Sequence, residues 1–252
     1  MKAVITGANS GIGKSLAIEL ANMGYDIVAI ARNPKTLEEL KKEISSDCEI
    51  IVADVSKKEI CLEVFEKLKN EDIDIFINNA GFGVYGKFDS TDYERELEMI
   101  DVNIKAVHIF TKLFIKKFLN DGKGKILNVA STAGFMPGPN FSSYYASKSY
   151  VLRLSEAVDE EVRRKNKNIC VCVLCPGPVK TAFDKSAGVG SSFNGANSDS
   201  VAKYAIKKFL KGKRIIIPGF SNKMLVFISK FVPEKLLTKI NYNIQARKQA
   251  KK

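Results

Sequence analysis

The chain has 252 residues, of which 45% are hydrophobic and 27% charged, a balance that suits one large α/β domain and excludes a disordered or fibrous chain. Its five cysteines, Cys48, Cys61, Cys170, Cys172 and Cys175, are an odd number, which argues against a disulfide framework. The net charge is +12, but from Lys211 onward eleven Lys or Arg meet one acid, Glu234, so this tail carries +10 and the first 210 residues only +2, and a general nucleic-acid footprint is not expected.

No apolar run reaches the length of a membrane span, and no charged-then-apolar leader opens the chain. The expectation is a cytoplasmic protein beginning at Met1. Apolar runs at residues 3–5, 27–30, 50–53, 73–77, 126–129, 169–174 and 215–217 read as buried strands. Amphipathic patterns at 13–22, 34–44, 57–69, 94–119 and 144–165 read as the helices between them. Buried strands alternating with helices imply βαβ units. The prediction is a single doubly wound α/β domain over 1–220, with a seven-stranded parallel sheet and helices on both faces. The Gly-, Ser- and Asn-rich stretch 182–200 reads as a flexible loop or short helices, and a loop of that length is often a lid. Residues 221–252 form a basic extension in which Leu236, Leu237, Ile240 and Ile244 recur at helical spacing.

After the first strand, Thr6-Gly7-Ala8-Asn9-Ser10-Gly11-Ile12-Gly13 opens the first helix, so backbone N–H groups and a helix N-terminus can face a pyrophosphate. The spacing is G-x-x-x-G-x-G. Gly13-Lys14-Ser15 ends like a Walker A loop, but Ala8 stands where that loop needs Gly, which disfavours an NTPase. Cys170, Cys172 and Cys175 lie in or beside a continuous apolar run with no His or acid among them, so no metal site is expected. The single histidine, His108, sits in a helical stretch and reads as structural.

Tyr144 and Lys148 are four residues apart and Ser131 lies thirteen upstream. On a helix, i and i+4 share a face. A phenol ordinarily titrates near about 10, and a cation beside it favours the phenolate, which makes a proton donor for carbonyl and alcohol chemistry. Tyr145 would pair with Ser149 at the same spacing and gains no cation.

Together these residues resemble the short-chain dehydrogenase/reductase family over roughly the first 220 positions. Thr6 to Gly13 matches TGxxxGxG, Asp54-Val55 the adenine-side pair, Asn78-Asn79-Ala80-Gly81 the NNAG motif, and Tyr144 to Lys148 YxxxK. Pro176-Gly177-Pro178-Val179-Lys180-Thr181 matches the segment after the sixth strand. The resemblance implies a Rossmann-like fold and hydride transfer between a nicotinamide cofactor and a carbonyl or alcohol. It implies Tyr144 as general acid/base, Ser131 orienting the carbonyl oxygen, Lys148 holding the nicotinamide ribose, and Asn103 positioning a water behind Lys148. It further implies that the cofactor is held by Gly7, Asn9, Ser10, Gly11, Ile12, Gly13, Asp54, Val55, Asn79, Ala80, Gly81, Tyr144, Lys148, Pro176, Gly177, Val179 and Thr181.

The second strand ends in Ala31-Arg32-Asn33, with no acid placed for a ribose 2′-hydroxyl. Arg32 can fork onto a 2′-phosphate, with Asn33 and Ser10 beside it. NADP(H) is therefore favoured over NAD(H). Phe82, Tyr85, Phe135, Met136, Phe141 and Phe183 suggest an apolar substrate. The resemblance implies a homodimer or homotetramer. The basic extension could cap the pocket, pack on its own body, meet another subunit, or, as a less favoured partner, touch an anionic membrane. The alternative function is a catalytically silent nucleotide-binding regulator or scaffold, which has no need to keep Asn103, Ser131, Tyr144 and Lys148 together.

Overall fold

The computed structural model describes residues 1–181, 183, 187 and 195–249. Among them, β1 Lys2–Thr6, β2 Asp26–Ala31, β3 Cys48–Val52, β4 Ile75–Asn78, β5 Gly124–Val129, β6 Ile169–Leu174 and β7 Ile215–Ile216 form one sheet ordered β3-β2-β1-β4-β5-β6-β7. Every neighbouring pair is parallel. The connections carry α1 Gly11–Ala21, α2 Pro34–Glu43, α3 Lys58–Leu68, α4 Tyr93–Ile100, α5 Val107–Asp121, α6 Ser142–Lys165 and α7 Ser198–Phe209.

Alternation along each strand puts a core on both sides of the sheet. Ala3 and Ile5 of β1 join Leu16 and Leu20 of α1, Leu37 and Leu40 of α2, and Phe209 of α7. Val4 joins the opposite core, with Val64 of α3 and Phe110, Phe114 and Phe118 of α5. There Phe76 of β4 stacks on Phe114 with ring centroids 3.9 Å apart. This is the doubly wound arrangement that the apolar runs imply. The strand order reverses between β1 and β4, which opens a crevice at the strands' C-terminal ends.

Polar groups buried between the sheet and α6 are paired with one another. Asn78 Nδ2 donates to Asn128 Oδ1 at 2.8 Å, and Asn128 Nδ2 donates to Ser155 Oγ at 2.9 Å, which ties β4, β5 and α6 together. The fully buried Asp159 of α6 accepts from Arg163 Nε, Arg214 Nε and the Val171 N–H at 2.7–2.9 Å.

Three expectations change. The helix expected over 94–119 is interrupted by a π-turn, Asp101–Ala106, between α4 and α5. The loop or short helices expected over 182–200 lie mostly outside the described residues, and the last part of that stretch opens the longer helix α7. Asn197 caps that helix, accepting from the Asp199 and Ser200 N–H groups at 2.7 and 3.2 Å. In the extension, α8 Phe220–Ser229 and α9 Glu234–Gln249 are both helical, with Pro233 between them. The apolar stripe of α9 does not face the body as a whole. Leu237 is buried, but Leu236, Ile240 and Ile244 are exposed, while the polar Asn241 and Gln245 are buried. No helix among the described residues is long and apolar enough to cross a membrane.

Candidate active site

The Gly-rich turn is shaped by backbone that ordinary side chains tolerate poorly. Gly7 and Gly11 have φ of +64° and +52°. A Cβ on Gly13 would lie 2.2 Å from the Gly7 carbonyl oxygen, so α1 starts close against the turn. Thr6 Oγ1 accepts from the Asn79 and Ala80 N–H groups at 3.0 and 3.1 Å. Asn79 Nδ2 donates to the Thr6 and Gly7 carbonyls at 3.1 and 3.0 Å, which brackets the turn onto the end of β4. The Ser10 side chain precedes α1 without making a capping bond, so the first-turn N–H groups of α1 have no partner from that side chain.

This turn forms one end of a cleft of about 830 Å³. Along its floor follow Arg32 and Asn33 after β2, Asp54 and Val55 after β3, Ala80 and Gly81 after β4, and Ser131 after β5. Tyr144 and Lys148 enter from α6, and Pro176, Gly177, Val179 and Thr181 from the segment after β6. Of the catalytic and cofactor-binding residues singled out from the sequence, all line this cleft except Gly13 and Asn103. The volume and the bare helix N-terminus fit a dinucleotide.

At the far end, α6 sets Tyr144 and Lys148 one turn apart, both buried. Lys148 Nζ donates to the Val129 carbonyl at 3.0 Å and lies 5.8 Å from the Tyr144 ring centroid. Burial lowers the Lys148 ammonium from 10.5 to about 8. Ser131 is extended and its Oγ accepts from the Ala133 N–H at 3.1 Å, which fixes that hydroxyl at the start of a short 3₁₀ turn. Tyr144 stacks on Phe141, with centroids 4.4 Å apart, and meets Phe183 at 5.4 Å. Phe82, Phe141 and Phe183 line the cleft among the expected aromatics, whereas Tyr85, Phe135 and Met136 do not.

Several side chains do more specific work than the sequence indicated. Asn103 is fully buried in the π-turn, behind the cleft wall. Its Oδ1 accepts from the Phe82 N–H at 3.1 Å, and its Nδ2 donates to the Phe82 carbonyl and to Ser147 Oγ at 2.9 and 3.1 Å. None of these bonds goes to Lys148. Both approach Gly81, where a Cβ would lie 2.9 Å from Asn103 Oδ1 and 3.3 Å from Lys148 Nζ. Asn33 caps α2, its Oδ1 accepting from Lys35 N–H at 3.0 Å. Asn9 Nδ2 donates to Thr36 Oγ1 at 2.9 Å. Arg32 Nη1 pairs with Glu98 Oε1 at 3.0 Å.

Sequence reasoning missed Arg95 and Gln245, which also line the cleft. Arg95 pairs with the same Glu98 as Arg32, and its guanidinium lies 4.1 Å from the Phe82 ring centroid. Its place three residues before Glu98 on one helix was the available signal. Gln245 arrives from α9, and nothing near Tyr145 in the sequence announces it.

Residues 1–190 match the family described as short chain dehydrogenase. The 17-beta-hydroxysteroid dehydrogenase type 3 of Rattus norvegicus is 32% identical over 241 residues, covering 93% of this chain and 77% of that protein. A short-chain dehydrogenase from Sphingobium yanoikuyae, solved in complex with NADPH, aligns with a TM-score of 0.82 at 27% identity, over 91% of this chain and 92% of that one. The bulky-bulky ketone specific alcohol dehydrogenase from Comamonas testosteroni aligns with a TM-score of 0.78 at 26% identity, over 91% of each chain. A Gly-rich turn and a Tyr–Lys helix thus meet in one cleft on a sheet that such enzymes share, and the chain belongs to the short-chain dehydrogenase/reductase family, oxidoreductases that act on CH–OH groups with a nicotinamide cofactor.

Proposed function

We propose that the protein interconverts an apolar carbonyl compound and its alcohol, as a carbonyl reductase with NADP(H). The observation that carries this reading is the convergence of Ser131, Tyr144 and Lys148 at one end of a cleft whose other end is the Gly7–Gly13 turn. In reduction the cofactor supplies a hydride to the carbonyl carbon. Negative charge then develops on the carbonyl oxygen, and the Ser131 hydroxyl donates a hydrogen bond to it. Tyr144 passes its phenolic proton to that oxygen, and in oxidation takes it back. Lys148, as a cation, stabilises the charge left on Tyr144 and binds ribose hydroxyls. Asn103 acts at one remove, holding Gly81 and Phe82 against the first turn of α6 through Ser147.

Arg32 supports the choice of NADP(H). It stands where an acid would otherwise hold a ribose 2′-hydroxyl, and its Glu98 partner is exchangeable at a half-open surface. The related structure with NADPH is consistent with that choice. Phe82, Phe141 and Phe183 support an apolar substrate. Assembly into a homodimer or homotetramer through α5 and α6 is the expected quaternary state, and sedimentation velocity reads it directly.

The test is Tyr144→Phe, assayed by NADPH oxidation over a panel of ketones, aldehydes and 3-oxoacyl thioesters that includes sterols. Turnover falls by about 10³-fold while NADPH affinity stays within a few-fold. Near-normal turnover in Tyr144→Phe would remove the mechanism.

A further inference from the structure

Helix α9 turns an unusual face to the body. Leu237, Asn241 and Gln245 follow one another at four-residue steps, and all three are buried. Asn241 Nδ2 donates to the Pro137 carbonyl at 2.8 Å. Gln245 Nε2 donates to the Tyr145 hydroxyl at 2.7 Å, and the Tyr85 hydroxyl donates to the Gln245 main-chain carbonyl. Polar anchors on two separate segments therefore fix the C-terminal helix against the rim of the cleft that holds Tyr144.

Gln245 lines that cleft and is only 3% exposed. Its side-chain oxygen, Oε1, is the one buried side-chain polar atom among the described residues with no hydrogen-bond partner. Buried amide oxygens are almost always paired, because leaving one unmet forfeits its hydration. Gln245 shares the lining of this cleft with Phe82, Phe141, Tyr144, Tyr145 and Phe183. A hydrogen-bond donor on the substrate, remote from the reacting carbonyl, satisfies the unmet acceptor.

We propose that Gln245 is a specificity-determining residue that accepts a hydrogen bond from a second hydroxyl on the substrate, so the enzyme takes hydroxylated apolar ketones in preference to their unsubstituted parents. This rests on the cleft being the carbonyl-reducing site. Tyr145 orients the amide by accepting from Nε2, and this holds Oε1 as the free end.

The experiment uses a homologous series of ω-hydroxy-2-alkanones, each compared with its unsubstituted 2-alkanone. Binding to the full chain loaded with NADP⁺ is measured by calorimetry, and turnover with NADPH is measured separately. The wild type binds the best-fitting hydroxylated member at least about tenfold tighter than its parent. Gln245→Met loses that ratio while the parent's affinity and the NADP⁺ affinity stay within about twofold. Gln245→Glu, which keeps an acceptor, retains a preference, so a general loosening of α9 is distinguished from loss of the acceptor. Equal binding of both members by the wild type would overturn the proposal, as would a uniform loss in Gln245→Met. So would a preference for ω-methoxy over ω-hydroxy ligands, since an ether offers no donor. Selective binding without any turnover would instead count against the reductase reading alone.

A different observation carries a second inference. Helix α8 buries only Val226 and Ser229 and leaves most of its apolar residues in the open. Phe220, Phe227 and Phe231 are 77%, 57% and 72% exposed, and Ile240 and Ile244 of α9 are exposed as well. Lys223, Lys230, Lys235 and Lys239 are exposed among them, against the single acid Glu234. A second copy of the chain packed isologously on this surface would bring together two patches of the same positive sign, whereas an anionic bilayer matches both features. We infer that α8 and α9 seat the protein on an anionic membrane surface.

Cosedimentation with vesicles of phosphatidylcholine alone, and of phosphatidylcholine with phosphatidylglycerol, tests this. The protein partitions onto the anionic vesicles at low salt and is released at high salt. Phe227→Glu with Phe231→Glu lowers partitioning by at least about tenfold and leaves NADPH affinity unchanged. Equal partitioning onto both vesicle types would overturn the inference. So would absence of vesicle binding together with an oligomer, seen by sedimentation, that the paired substitutions dissociate.

Discussion

Lys148 Nζ and the Val129 carbonyl oxygen are 3.0 Å apart, a bond that joins the first turns of α6 to the C-terminal end of β5. It gives a buried ammonium one acceptor but does not restore its full hydration, and burial holds Lys148 at about 8 instead of 10.5. Lys148 therefore loses its proton as pH rises through about 8, and with it the cation beside Tyr144. The expected pH profile of reductive kcat/KM falls above pH 8, and a profile that stays level up to about pH 10 would contradict it.

The same burial sets a stability effect with a defined sign. Below pH 8 both folded and unfolded chains carry the proton, and the folded chain bears the whole desolvation cost. Between about 8 and 10.5 the unfolded chain binds more protons, so this residue's contribution to stability rises with pH across that window. Lys148→Met removes the buried charge. Its melting temperature at pH 7 should rise by a few degrees while turnover drops by about 10²-fold or more. Differential scanning fluorimetry and steady-state kinetics on one preparation check both halves.

Tyr145 offers a control that sits next door. Burial raises its hydroxyl above the ordinary 10, which keeps it a neutral hydroxyl that serves Gln245. Tyr145→Phe should keep kcat on an unsubstituted ketone within about threefold of wild type, in contrast to Tyr144→Phe. A loss in Tyr145→Phe as large as in Tyr144→Phe would mean that the wrong phenol has been assigned.

The Arg32–Glu98 pair predicts opposite effects from its two members. Arg32→Ala should weaken NADPH by about tenfold and leave NADH nearly unchanged, because only the former carries a 2′-phosphate. Glu98→Gln frees Arg32 from a competitor worth no more than about 1 kcal/mol, so NADPH should bind up to a few-fold tighter. Fluorescence titration with both nucleotides reads these changes.

Asp159 yields a stability prediction without a catalytic one. Its carboxylate is wholly buried and holds Arg163, Arg214 and the Val171 N–H. Asp159→Asn leaves two guanidinium groups short of their counter-charge and should cost about 3–5 kcal/mol. Thermal unfolding should move down by roughly 10 °C.

The strands and the cleft floor were legible because buried parallel strands are written as unbroken apolar runs, and because the motifs sit at fixed offsets from their ends. The π-turn was not, since Asp101–Ala106 contains no Gly or Pro to mark a change of helical pitch. Helix α7 was hidden by the polar run before it, although Asn197 is an ordinary capping residue. The orientation of α9 follows its apolar stripe only at Leu237, because hydrogen bonds to Pro137, Tyr85 and Tyr145 turn Asn241 and Gln245 inward as well. Gln245 could not be found by spacing, being a hundred residues from the hydroxyl it serves.

The cleft draws its lining from the ends of β1 through β6, so residues far apart along the chain meet in it. Ligand occupancy therefore works as a seam across the sheet. A nucleotide present at a hundred times its Kd would stabilise the folded chain by about 2.7 kcal/mol. Protease resistance should consequently track nucleotide supply, and variants remote from the cleft, Asp159→Asn among them, should be partly rescued by adding it.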